Sequence, residues 1–182
     1  MTKSSVRPGV VFFLAIFFSF SSCSRFLWAE AYVELKHGKE LHQAGEVEKA
    51  ISCYERAIAT DPTLSEAEFY LGLAWADLGD LDQAIKHYER CLLLNPKHAK
   101  CESNLAGLLV SKQLRREARQ HYEHCLSLDP KLEIAHKELA DILSDEGEYD
   151  KAIAHYEEAI RIRPDFKEAK ENLAFVHTLV GR

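Results

Sequence analysis

Prolines stand at Pro62, Pro96, Pro130 and Pro164, a spacing of 34 residues each time. Other columns keep the same step: Ala50, Ala84, Ala118 and Ala152; Tyr54, Tyr88, Tyr122 and Tyr156; Leu71, Leu105, Leu139 and Leu173. Each of those leucines is followed by a small residue, namely Gly72, Ala106, Ala140 or Ala174. Such a period restricts the chain to one supersecondary unit repeated along a line, because a unit this short buries its apolar face only against copies of itself. Only eight glycines and five prolines punctuate the 182 residues. That leaves little turn chemistry for an all-β fold and predicts an all-α one.

The 34-residue period, with its Leu-small pair, its Ala-x3-Tyr spacing and its proline, resembles the tetratricopeptide repeat. The resemblance implies paired antiparallel helices, A and B, stacked as a right-handed αα superhelix. Taking the proline as position 32 gives repeats at 31–64, 65–98, 99–132 and 133–166, followed by a capping helix in 167–182. The small residues are expected to let two helices approach closely, with the tyrosines filling the space between neighbouring helix pairs. Gly45, Gly79 and Gly147 fall in the turn from A to B, where a left-handed residue ends a helix; Gln113 replaces glycine in the third unit. Asp61, Asn95 and Asp129 precede prolines and so avoid the α region, which ends the B helices. Terminal units of an array are irregular: His37 stands where later repeats have leucine, and His177 takes the column of Trp75 and Leu143.

Residues 1–29 have a different character. They contain Lys3, Arg7 and Arg25 but no acid, and Val10 to Phe20 is apolar apart from Ser19. Eleven residues of helix cover about 17 Å, roughly half a bilayer core, so the segment reads as an export signal rather than a stable span. Phe20-Ser21-Ser22-Cys23 resembles a bacterial lipobox, with phenylalanine where leucine is usual, and makes Cys23 the candidate lipidation site. Cleavage after Ser24 or Ala29, or an uncleaved short anchor, are the competing outcomes. Each places the remainder in a non-cytoplasmic compartment, periplasmic or tethered to the outer membrane in a bacterium. Removing the segment before Cys23 takes two cations and no acid from 23 Lys plus Arg against 29 Asp plus Glu, leaving a net charge of −8. No cationic excess remains to neutralise a phosphate backbone, which argues against nucleic acid as a partner.

The resemblance implies a concave groove lined by helix A. By its positions the candidate lining is Tyr32, Leu35 and Lys39; Phe69, Tyr70 and Leu73; Lys100, Asn104 and Val110; Lys137 and Asp141; and, from the cap, Asn172 and Phe175. Phe69, Leu73, Val110 and Phe175 have no core duty in the repeat pattern and are expected to form an apolar strip that a partner covers, unless neighbouring helices cover it. Asn104 and Asn172 resemble an asparagine ladder that holds a peptide main chain. The Lys, Asn, Asn, Lys, Arg clamp of chaperone-binding members is absent, so a heat-shock chaperone tail is not an expected ligand. Lys112, Arg115, Arg116 and Arg119 form a basic cluster that either docks an acidic partner or is a solvated face.

Catalysis has no visible seat: no Ser-His-Asp grouping, phosphate loop or carboxylate pair stands outside the repeat pattern. His87, His121 and His155 share a column, but equivalent residues of successive repeats lie too far apart for one metal ion, and His121 with His124 makes a weak pair at most. Cys91 and Cys125 read as small core residues. No cofactor, metal or small-molecule substrate is expected. The expected role is a non-catalytic scaffold or assembly factor, exported and membrane-tethered, that binds a protein segment in its groove. The alternatives are an accessory that recruits substrate to a separate enzyme, such as a glycosyltransferase or protease, and a secreted adhesion factor.

Overall fold

Helices end where the sequence places a residue before proline. In the computed structural model, which describes residues 28–181, the B helices stop at Thr60, Leu94, Leu128 and Ile162. The residues that follow, Asp61, Asn95, Asp129 and Arg163, have φ of −133°, −138°, −137° and −124°. Proline's clash with the preceding residue enforces this extended backbone. In three of the four junctions the side chain adds an Asx turn, accepting the N–H two residues on: Thr63 to Asp61 at 2.9 Å, Lys97 to Asn95 at 3.2 Å and Lys131 to Asp129 at 3.0 Å. The fourth junction lacks that acceptor. There the Arg163 guanidinium lies 3.4 Å from the centre of the Phe166 ring.

The helices are α1 (28–43), α2 (Val47–Thr60), α3 (Ser65–Asp77), α4 (Leu81–Leu94), α5 (Ala99–Ser111), α6 (Arg115–Leu128), α7 (Glu133–Asp145), α8 (Tyr149–Ile162) and α9 (Lys167–Leu179). Among the described residues there is no strand. The A-to-B turns pass through Gly45, Gly79 and Gly147 at φ of +81°, +79° and +79°, and Gln113 adopts the same left-handed backbone at +63°. Contacts run almost wholly between consecutive helices, as a stacked solenoid requires. The Cys23 motif and all of the signal-like segment up to residue 27 lie outside the described residues. Trp28 and Ala29 already belong to α1. No described helix is long and apolar enough to cross a membrane.

The tyrosine column packs within each helix pair as well as between pairs, which extends the sequence expectation. A Cβ on Gly72 would meet the Tyr88 ring at 2.8 Å, and one on Gly38 would meet Tyr54 at 2.5 Å. The ring therefore occupies the space that a side chain would take. Its far end reaches onward: Tyr54 stacks on Tyr70 at 5.9 Å, and the Tyr88 hydroxyl accepts from Asn104 Nδ2 at 3.3 Å. All four tyrosines are at most 2% exposed. Their apolar burial, on the order of 2 kcal/mol each, ties successive units together.

Candidate functional site

The inner surface is built by the A helices α1, α3, α5, α7 and α9, and its apolar strip is narrower than the repeat positions imply. Leu35 is 1% exposed and packs with Ala50, Tyr54 and Leu71 in the core of the first two repeats. Phe69 is 8% exposed and joins the core cluster of the later repeats, with its ring 4.8 Å from that of His98 and 6.0 Å from that of Tyr88. Both are corrections. The expectation that Phe69 has no core duty fails because His98, the residue just before α5, closes over its ring. Tyr70, Leu73 and Val110 are half-buried, while Tyr32 and Phe175 are exposed at 48% and 61%. Ile134, at the second position of the fourth repeat, is 51% exposed and adds to the strip.

Three depressions follow one another along this face. The first, of about 240 Å³, is lined by Lys39, His42, Gln43, Tyr54, Tyr70 and Leu73. Leu73 also borders the second, of about 480 Å³, which includes Asn104, Gly107, Val110, Tyr122 and Ile134. The third, of about 230 Å³, shares Ser103, Asn104 and Ile134 with the second and adds Phe69, Lys100 and Leu132. A single trough thus runs from α1 to α7.

Polar groups on its walls are held in fixed positions by partners within the chain. Lys39 donates to Glu66 at 3.1 Å and sits 4.4 Å above the Tyr70 ring. Tyr70 and then Glu66 hold the ammonium above its ordinary pKa. Burial would lower Lys137, but Asp141 at 2.8 Å and Glu138 at 3.0 Å outweigh it and raise the group. Asp141 also accepts from the Tyr156 hydroxyl at 2.5 Å and from Asn172 Nδ2 at 2.8 Å. The two asparagines therefore serve different ends. Asn104 spends a donor on Tyr88 while lining the trough, and Asn172 ties the cap to the fourth repeat. Lys100 is exposed at the trough edge.

The basic cluster is largely neutralised within the chain, since three of its four residues pair with acids. Lys112 pairs with Asp82, Arg115 with Asp145 at 2.5 Å, and Arg119 with Glu123 at 2.8 Å, Glu148 at 2.7 Å and Glu146. Adjacent repeats supply most of these acids. Arg116 alone of the four takes part in no ion pair among the described residues.

Sequence reasoning missed a buried acidic column facing the histidines. Glu68 and Glu102 are each 5% exposed. Glu68 bonds His87 at 2.7 Å, and Glu102 bonds His121 at 2.6 Å and His124 at 2.7 Å. In the fourth repeat His136 takes the acid's place, with its Nδ1 2.9 Å from that of His155. The signal was available, since Glu34, Glu68, Glu102 and His136 are spaced by 34. Because His121 and His124 each spend Nδ1 on a different oxygen of Glu102, they do not converge on a common point. The thiols of Cys91 and Cys125 are fully buried, and burial pushes Cys125 up to about 11.

Known proteins place this architecture. MamA from Desulfovibrio magneticus RS-1 superposes with a TM-score of 0.74 at 18% identity, over 84% of this chain and 86% of that one. PilW, a type IV pilus biogenesis factor, gives 0.72 at 21% over 83% and 70%. The first TPR of Spaghetti (RPAP3), solved with the HSP90 peptide SRMEEVD, gives 0.63 at 24% over 65% and 94%. At these identities the likeness is one of fold. No curated protein matches the sequence. Models described as TPR repeat match residues 38–79 and 140–181, and models described as tetratricopeptide repeat match 65–98 and 103–132. Between them they span most of the helical array, and the chain belongs to the tetratricopeptide repeat family.

Proposed function

We propose that the chain is a non-catalytic scaffold that binds an extended or helical segment of a partner protein along the trough of its A helices. The observation that carries this reading is the continuity of the three depressions through Leu73, Asn104 and Ile134. Leu73 and Ile134 line it outside both core clusters, and fixed polar groups stand beside them, which suits a segment that presents apolar anchors. The fold is shared with a pilus biogenesis factor and with a domain solved with a bound peptide, and both support an assembly or recruiting role.

Residues 1–29 extend the proposal. Their basic start, apolar stretch and Cys23 motif would export the array and hold it at a membrane, where lipidation adds about 0.8 kcal/mol of affinity per buried methylene. Mass spectrometry of the mature N-terminus tests this: an acylated Cys23 supports tethering, and an unmodified residue 25 or 30 there excludes it.

Affinity purification from solubilised membranes tests the trough. Leu73→Asp with Ile134→Asp should lose the partners that the parent retains, with helicity close to the parent because Leu73 is half-buried and Ile134 is 51% exposed. Recovery of the same partners by both forms would sink the proposal.

A further inference from the structure

The first repeat departs from the others at two positions that lie against each other. In the second and third repeats a glutamate on helix A faces a histidine on helix B, as Glu68 faces His87. In the first, Glu34 faces Cys53 instead, and His37 occupies the column in which Leu71, Leu105 and Leu139 are buried. Both changes introduce strong metal-ligand types, and both fall beside the same carboxylate.

The distances suit a metal ion. The Cys53 sulfur lies 3.8 Å from His37 Nδ1, and the donor atoms of Glu34, His37 and Cys53 all lie within 4.8 Å of one another. Around a tetrahedral zinc ion, with Zn–S near 2.3 Å and Zn–N near 2.0 Å, a sulfur and a nitrogen sit about 3.6 Å apart. Glu34 and His37 are one turn apart on α1, so they share a face. Cys53 is 2% exposed on α2, which fixes its sulfur, while His37 is exposed and leaves a way in. We propose that Glu34, His37 and Cys53 form a binding site for a divalent cation of the zinc class, with its fourth position open to water.

Arg56 would compete with the cation for two of the three ligands. Its Nη2 donates to Glu34 at 2.8 Å and to the Cys53 sulfur at 3.1 Å, drawing two of the three ligands together. The side chain is 54% exposed and can swing into solvent. On binding, the Cys53 S–H proton passes to solvent as the metal–sulfur bond forms, Glu34 and His37 each supply a lone pair, and the guanidinium withdraws. Three dissimilar donors, N, S and O, match zinc and its spectroscopic substitute cobalt better than they match calcium or magnesium, which take oxygen ligands.

Titration of the full chain with Co²⁺ tests the site. One equivalent should give a thiolate-to-cobalt charge-transfer band in the near ultraviolet and tetrahedral bands in the visible, all bleached by Zn²⁺. Cys53→Ser should abolish the charge-transfer band, while Cys23→Ser and Cys91→Ser keep it. His37→Leu, which restores the residue type of the other repeats, and Glu34→Gln should each weaken binding by about tenfold or more. Arg56→Ala should tighten it by removing the competing cation, whereas a merely structural cluster would show no such gain. Circular dichroism checks that each variant is folded. Absence of the band in the parent, its survival in Cys53→Ser, or unchanged affinity in folded His37→Leu would overturn the proposal.

Discussion

Gln113 holds the α5–α6 turn at φ +63°, where a side chain costs about 1 kcal/mol that glycine avoids. Gln113→Gly should therefore raise the unfolding free energy by about 1 kcal/mol, measured in urea, despite the added flexibility of the unfolded chain. Gly79→Ala should lose a similar amount, although no atom within 4 Å would touch the new methyl, because the backbone alone opposes it. Two histidines set a pH response. Burial lowers His98 below its ordinary 6.5, and burial followed by the charge of His136 lowers His155. A depressed folded-state pKa means that the unfolded chain takes up protons first as pH falls. Stability should therefore decline as pH drops below about 6.5. His155→Asn should flatten that slope, and an unchanged slope would contradict the assignment. At this scale the glycine turns and proline junctions were legible, since backbone restrictions are local. Of the Glu68–His87 and Glu102–His121 pairs, only the histidine column was read from the sequence. Which columns face each other depends on the angle between helices.

At the scale of elements, the basic cluster around the α5–α6 turn links neighbouring repeats through ion pairs. Arg115 and Asp145 are 30 residues apart, as are Lys112 and Asp82, a little short of one repeat, so stacking brings each pair face to face. A reading of charge along the chain sees the basic residues but not these partners. Arg119→Ala removes contacts to three acids and should cost about 1 kcal/mol, an amount discounted for solvent screening. Arg116→Ala should be neutral within about 0.5 kcal/mol. Thermal melts of the two variants, at low and high salt, check the contrast: only the Arg119 effect should shrink with salt. The inner face shows a similar limit. Helix positions identified Leu73 and Phe175 as outside the core, but Val110 packs against it and Phe69 is covered by His98, the last residue of its own repeat.

Across the whole molecule, short-range contacts replace a single centre. One core cluster serves the first two repeats and another runs from Phe69 to Val176, with Tyr70 and Trp75 packed against both. The cap belongs to this continuity through buried Ala169 and Val176 and through the Asn172–Asp141 bond. Deleting residues 167–182 should uncover Ile153 and Tyr156, lower the melting temperature, and leave α8 the least protected helix in hydrogen exchange. All-α class and helix pairing were legible because the period is a property of sequence; the course of the trough was not, since it depends on which side chains stacking leaves uncovered. That trough carries the central claim, and site-specific photo-crosslinking tests it most directly. A photoreactive residue at Ile134, 51% exposed inside the trough, should capture a partner segment, while one at Leu93, 70% exposed on α4, should not. Capture from Leu93 with none from Ile134 would contradict the account.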